Sequence, residues 1–181
     1  MHKVFISYFH DEDAKYRYEF EKIFSNVMVS KAVDFGEIEP NANEDYVYQL
    51  LRDYYLSDST VTVVLIGEHT WQRKYVDWEI YSTLRNTKNS PRSGLLGILL
   101  PTYLKPSPNK YNIYTIPPRL FDNLNEGTDG KKPFAEIYDW STDQEFIKRI
   151  IHKAFLRRDY IDPINTREMF GRNHTGSQWE E

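Results

Sequence analysis

An α/β fold, with a parallel sheet covered by helices on both faces, is what this chain predicts on three observations. Two apolar runs, Thr60 to Ile66 (TVTVVLI) and Gly94 to Leu100 (GLLGILL), are continuously hydrophobic, as strands buried on both faces are. Shorter strand-like runs and amphipathic helical patterns alternate along the rest of the chain. The 181 residues are 40% hydrophobic and 28% charged, a balance that suits one domain with one core and at most a modest extension.

The elements follow in order. Lys3-Val4-Phe5-Ile6-Ser7 reads as a buried first strand. Asp11, Glu12 and Asp13 then open a helix, where negative charge complements the positive end, and Tyr16, Phe20, Ile23, Phe24 and Val27 recur at helical spacing. Ala32-Val33-Asp34-Phe35 is a weaker second strand, ended by Gly36. Asn43 caps a helix striped by Val47, Leu50, Leu51 and Tyr54. Thr60 to Ile66 forms the third strand, and Thr70 caps a helix from Trp71 to about Asn86. Gly94 to Leu100 is the fourth strand. Six prolines between Pro101 and Pro133, with the turn Gly127-Thr128-Asp129-Gly130, forbid a long helix there and mark an elaborated insertion. It either shelters a site or packs on the sheet edge or a neighbouring subunit. Glu136 to Asp139 is the last strand, and Thr142-x-x-Glu145 is a capping box for a final helix striped by Phe146, Ile147, Ile150, Ile151, Ala154 and Phe155. From Asp159 the polar, aperiodic tail predicts irregular or partly disordered chain. The division expected is one domain over 1–158, with its insertion at about 101–135, and a tail over 159–181.

Five strands in this order predict a three-layer, flavodoxin-like sheet of order 2-1-3-4-5, with a ligand crevice beyond the C-terminal ends of strands one and three. That geometry nominates Ser7 to Asp13, Asp34 to Glu37 and Gly67 to Trp71. Several chemistries are excluded there. No GxxxxGK[ST], GxGxxG or GxSxG is present, which argues against a P-loop, a dinucleotide-binding Rossmann motif and a serine hydrolase. With no cysteine, the chain offers no disulfide, thiolate metal site or cysteine nucleophile, and His2, His10, His69, His152 and His174 show no metal-ligand spacing. Lys+Arg of 23 against Asp+Glu of 27 leaves a net charge of −4, which gives no general attraction to nucleic acid. No apolar run approaches membrane-spanning length, and a cytoplasmic protein is expected.

One segment carries a candidate carboxylate: Thr70-Trp71-Gln72-Arg73-Lys74-Tyr75-Val76-Asp77-Trp78-Glu79-Ile80. Val76, Ile80, Thr83 and Leu84 form its sheet-facing stripe. Glu79, one turn from Tyr75, projects at the edge of that face beside an aromatic ring. On spacing alone the simpler expectation is an exposed Glu79 that pairs with Arg73 or Lys74.

Lys3-Val4-Phe5-Ile6-Ser7-Tyr8 with Asp11 resembles the opening strand of TIR domains. Thr60 to Gly67 followed by Tyr75-x-x-x-Glu79 is similar to that family's third strand and W-x-x-x-E helix, with Tyr in the aromatic place. FISYFH, LRDYYLSDSTVTVVLIGEHTW, YVDWEI and IPPRLFDN resemble more narrowly the TIR-like proteins of bacterial Thoeris anti-phage systems, the ThsB group. The likeness runs from Lys3 to about Arg158. It departs after the second strand, where Gly36-Glu37-Ile38-Glu39-Pro40 replaces the usual Pro-Gly pair. The resemblance implies a TIR-type fold and cleavage of the nicotinamide–ribose bond of NAD⁺ as substrate, without a further cofactor or metal. It implies Glu79 as the catalytic carboxylate, with Phe5, Ser7, Tyr8, His10, Asp34, Trp71 and Tyr75 around the substrate. It also implies a cyclic ADP-ribose-type product that activates a separate effector protein, a phage-derived trigger, and room for a homo-oligomer. The alternative, from another class, is a non-catalytic TIR module that signals by assembly.

Overall fold

A computed structural model of the chain describes residues 1–33, 42–88, 90–124 and 132–180. Its core is a five-stranded, all-parallel sheet of order β2-β1-β3-β4-β5, built from β1 (His2–Ser7), β2 (Met28–Lys31), β3 (Val61–Ile66), β4 (Gly94–Leu99) and β5 (Ala135–Asp139). The expected α/β, flavodoxin-like order is therefore present. Register places Phe5 beside Thr62 and Ser7 beside Val64, so the C-terminal ends of β1 and β3 lie together.

Period-two alternation divides the strands between two cores. Val4, Ile6, Val61, Val63 and Leu65 face α1 (His10–Phe24) and α5 (Gln144–Tyr160), meeting Phe20, Phe24, Ile147, Ile150 and Ile151. Val64, Ile66, Leu95 and Leu99 face α3 (Lys74–Leu84) and α4 (Pro118–Asp122), meeting Val76, Ile80 and Leu120. Phe5 faces the same side, against Val47 of α2 (Glu44–Leu50), Leu51 and Trp78. The helix closeness this needs is visible at Gly94, where a Cβ would run into the backbone of Ala154 on α5.

Several boundaries differ from expectation. The second strand is Met28–Lys31 instead of Ala32–Phe35. As an edge strand it needs only one apolar side, and pairing from His2↔Met28 to Phe5↔Lys31 sets it four residues earlier than the most β-prone run. Asp34 and Phe35 lie outside the described residues. Asn43 caps α2 through its side chain, as expected, but the helix widens into a π-turn over Leu51–Tyr55. Thr70 does not cap α3: Thr70–Gln72 is a separate 3₁₀ turn, and Thr70 Oγ1 accepts from Gly67 N at 2.8 Å. Asp143, one residue after Thr142, caps α5 by accepting from the amides of Glu145 and Phe146.

The insertion lies on the α3 side of the sheet, where Ile116 and Leu120 are buried against β3 and β4. The final helix runs two residues into the expected tail, through Tyr160, and the irregular chain beyond it is docked. Phe170 and Trp179 are buried, and Trp179 Nε1 donates to the carbonyl of Ile116 at 2.8 Å.

Gly94→Ala is expected to destabilise the fold by roughly 1–3 kcal/mol, because backbone and not a flexible side chain occupies the Cβ position. Gly171→Ala, with open space around it, is expected to melt within about 1 °C of wild type. Thermal denaturation of the two variants side by side checks this; equal melting temperatures would mean that α5 does not press on β4 as described.

Candidate active site

The alternation that sends Val4 and Ile6 to one face of the sheet sends Phe5 and Ser7 to the other. Ser7 is the last residue of β1, at the crevice where β1 and β3 end. Across from it runs α3, held flat on the sheet by Val76, Ile80 and Leu84. A polar contact adds to this packing. Thr83 Oγ1 donates to the carbonyl of Glu79 at 2.8 Å and accepts from Thr62 Oγ1 on β3 at 2.8 Å. The helix is thereby set so that Glu79 points inward at the end of β1.

Glu79 is 3% exposed, and Ser7 Oγ donates to its Oε2 at 2.5 Å. Arg73 instead lies over the Phe9 ring at 4.1 Å and Lys74 pairs with Glu44 at 3.1 Å. The surface ion pair expected from spacing is replaced by a buried carboxyl group. Desolvation pushes the Glu79 pKa up to about 8, only partly opposed by the Ser7 hydrogen bond. A buried carboxyl group with its pKa raised in this way, where β1 and β3 end, makes Glu79 a candidate functional residue.

The other candidate residues divide by face. Phe5 joins Ser7 and Glu79 on the α3 side, packed in the cluster that holds Trp78. Tyr8 packs on the opposite side with Val4 and Ile6 and stacks on His10, ring centroids 4.4 Å apart. Trp71 is buried within its 3₁₀ turn. Tyr75 is partly exposed and meets Trp78 edge to face at 5.8 Å, with the Lys74 ammonium 5.3 Å from its ring centre. Asp34 falls outside the described residues.

Three features escaped the sequence reading. Asp13 lies in the nominated Ser7 to Asp13 loop, but its burial does not follow from its reading as a helix-end charge: it is fully buried against Gly67 and accepts from Thr102 Oγ1 at 3.0 Å, and burial raises its pKa. Asp77 and Arg119 form a buried ion pair beside the site. Both stand in segments quoted above for their family likeness, YVDWEI and IPPRLFDN, but periodicity gives no sign that they meet. The third is the tail. Trp78 Nε1 donates to the carbonyl of Phe170 at 2.8 Å, and Met169 packs on the Phe5 cluster. Among the described residues no trio of His, Asp or Glu could hold a metal ion, and no helix is long and apolar enough to cross a membrane.

A family model described as the TIR-like domain of Thoeris protein ThsB matches residues 5–104, a span that includes Ser7 and Glu79. No curated protein matches the chain significantly.

Burial raises the Glu79 pKa from the ordinary carboxyl value of 4.5, so the folded protein holds this proton more tightly than the unfolded chain does. Folding stability from this group is therefore present below pH 4.5 and is lost as pH rises through about 8. Glu79→Gln, which cannot ionise, is expected to melt about 5–10 °C above wild type at pH 9 and close to it at pH 5. Melting curves for both proteins at the two pH values check the sign; a variant no more stable than wild type at pH 9 would contradict a buried, reluctant carboxylate.

Proposed function

From the premise that the chain belongs to the ThsB TIR-like family of the Thoeris defence system, we propose that it cleaves NAD⁺ at the nicotinamide–ribose bond with Glu79 as its essential carboxylate. The observation that carries this is the pairing of Ser7 with a desolvated Glu79 at the C-terminal end of β1.

Nicotinamide in NAD⁺ is already a cationic leaving group. When the C–N bond breaks, the electron pair departs with it and neutral nicotinamide is released, so no general acid is required. This separates the reaction from the paired-carboxylate chemistry of ordinary glycosidases. Positive charge develops on the ribose, and an ionised Glu79 in a low-dielectric crevice stabilises that charge far better than it would in water. Ser7 orients the carboxylate by donating to one oxygen, which leaves the other for the ribosyl group. Tyr75, exposed one helical turn before Glu79, and Phe5, buried on the same side of the sheet, are the aromatic candidates for the nicotinamide or ribose. Tyr8, His10, Trp71 and Asp34 remain candidates for more distant parts of the dinucleotide.

Capture of the ribosyl cation by a nucleophile of the same molecule gives a cyclic ADP-ribose, with loss of a proton; capture by water gives linear ADP-ribose. The near-complete burial of Glu79, on the side of the sheet where Phe5 and Trp78 pack, supports exclusion of water and hence the cyclic product. A diffusible product of this kind would act on a separate effector protein.

A non-catalytic module that signals by assembly is the competing reading, and the nearly complete burial of Glu79 is the feature that favours it. Nicotinamide release separates the two. Wild type, assayed with phage-infected cell extract as a source of trigger, is expected to release nicotinamide, and Glu79→Gln to lose at least about a hundredfold of that rate. Equal rates in the two proteins would remove Glu79 from the chemistry. Absence of turnover in wild type with that extract would support the assembly module. Mass spectrometry of the filtrate is expected to find a product lighter than ADP-ribose by one water; linear ADP-ribose alone would refute the cyclic signal while preserving the cleavage.

A further inference from the structure

The buried pair on the outer side of α3 is more elaborate than packing needs. Arg119, at the start of α4, is 0% exposed, and every one of its five N–H donors has an acceptor. Nε donates to Asp77 Oδ1 at 2.9 Å and Nη2 to Asp77 Oδ2 at 3.2 Å, the bidentate fork. The remaining three bonds go to the tail: Nη1 to Asn165 Oδ1 at 3.0 Å and to the carbonyl of Arg167 at 2.8 Å, and Nη2 to the carbonyl of Glu168 at 2.9 Å. Asp77 Oδ2 also accepts from Phe170 N at 2.9 Å. One guanidinium thus joins α3, α4 and the tail at a single buried point.

Farther along, the tail reaches the start of α3. No neighbouring side chain caps this helix, but Asn173 Oδ1 accepts from Lys74 N at 2.9 Å and satisfies an end donor that Arg73 leaves open. Gln72 Nε2 donates to the carbonyl of Gly176 at 2.9 Å, and His174 N to the carbonyl of Gln72 at 2.8 Å.

Asp77 and Glu79 are two residues apart on one helix, hence about 200° apart around its axis. One side chain is fixed to Arg119 while the other faces Ser7. A carboxylate about 6 Å from the axis moves about 2 Å when the helix turns by about 20°, enough to break its hydrogen bond. We propose that Arg119 is a positioning residue for Glu79: by clamping Asp77 to the tail segment 165–170 it sets the rotation of α3 at which Glu79 meets Ser7. Its catalytic consequence rests on the NAD⁺-cleaving role given to Glu79; its structural consequence does not.

The test follows the Glu79 carboxyl directly, by ¹³C NMR titration of full-length protein labelled on glutamate side chains, with Glu79→Gln to assign the signal. Arg119→Lys keeps the charge but loses the fork and cannot reach five acceptors. The expected result is a Glu79 midpoint near 8 in wild type that drops by at least about one pH unit in Arg119→Lys, as water gains access to the loosened carboxyl. In nicotinamide release, kcat is expected to fall at least about tenfold with KM little changed, as misplacement of a catalytic group predicts. An Arg119→Lys protein that is folded by circular dichroism and keeps the wild-type midpoint would overturn the proposal. Should Arg119→Lys not fold, the full-length double variant Asn165→Ala/Asn173→Ala decides, since it loosens the tail and leaves the Asp77–Arg119 pair in place. Its midpoint is expected to move in the same direction, and an unmoved midpoint overturns the proposal equally. A midpoint that shifts in a protein whose wild type releases no nicotinamide would instead sink the NAD⁺-cleaving role and leave the clamp standing.

Discussion

How α3 is turned about its own axis decides the character of this molecule. At the observed rotation, Val76 and Ile80 lie on the sheet, Asp77 faces Arg119, and Glu79 is driven under the end of β1 onto Ser7. A carboxyl group buried there with one neutral donor, Ser7, is expensive to ionise. The cost becomes intelligible if the group is kept there for chemistry, where a desolvated charge acts with a strength that exposed carboxylates lack.

The rest of the fold can be seen as what holds that rotation. Parallel strands bring the ends of β1 and β3 together and supply Ser7 at the crevice. Thr62 and Thr83 fasten the helix to the sheet, and Arg119 fastens its far side. The segments with the least regular structure are part of the same device. The Pro-rich insertion carries α4 and so delivers Arg119. The tail contributes carbonyl groups to it and caps the helix through Asn173. Among the described residues neither the insertion up to Phe134 nor the tail adds a strand to the sheet, yet both bear on where Glu79 points.

Regular structure was legible in the sequence because its causes are local. TVTVVLI and GLLGILL announce doubly covered strands, and alternation of strand and helix implies a parallel sheet of the order found. Boundaries moved where a partner outranked propensity, as when pairing with β1 drew the second strand back to Met28–Lys31. Glu79 could be singled out by its place beside the apolar stripe, although spacing alone favoured solvent and the resemblance to TIR domains was needed to favour the crevice. Arg119 and the tail were beyond reach for a plain reason. Contacts between residues 42 and 93 positions apart leave no periodic trace, and a polar tail reads as unstructured until its acceptors are seen to meet a buried guanidinium.

If NAD⁺ cleavage depends on Glu79, this one buried carboxyl group must lose its proton first. The pH dependence of kcat/KM for nicotinamide release by wild type, which reports groups of the free enzyme, tests it most directly. The expected rate rises with pH to a plateau, with its midpoint near 8, where Glu79 ionises. A profile already flat above pH 6, with any midpoint near the ordinary carboxyl value of 4.5, would contradict it, because the essential carboxylate would then be a solvated one.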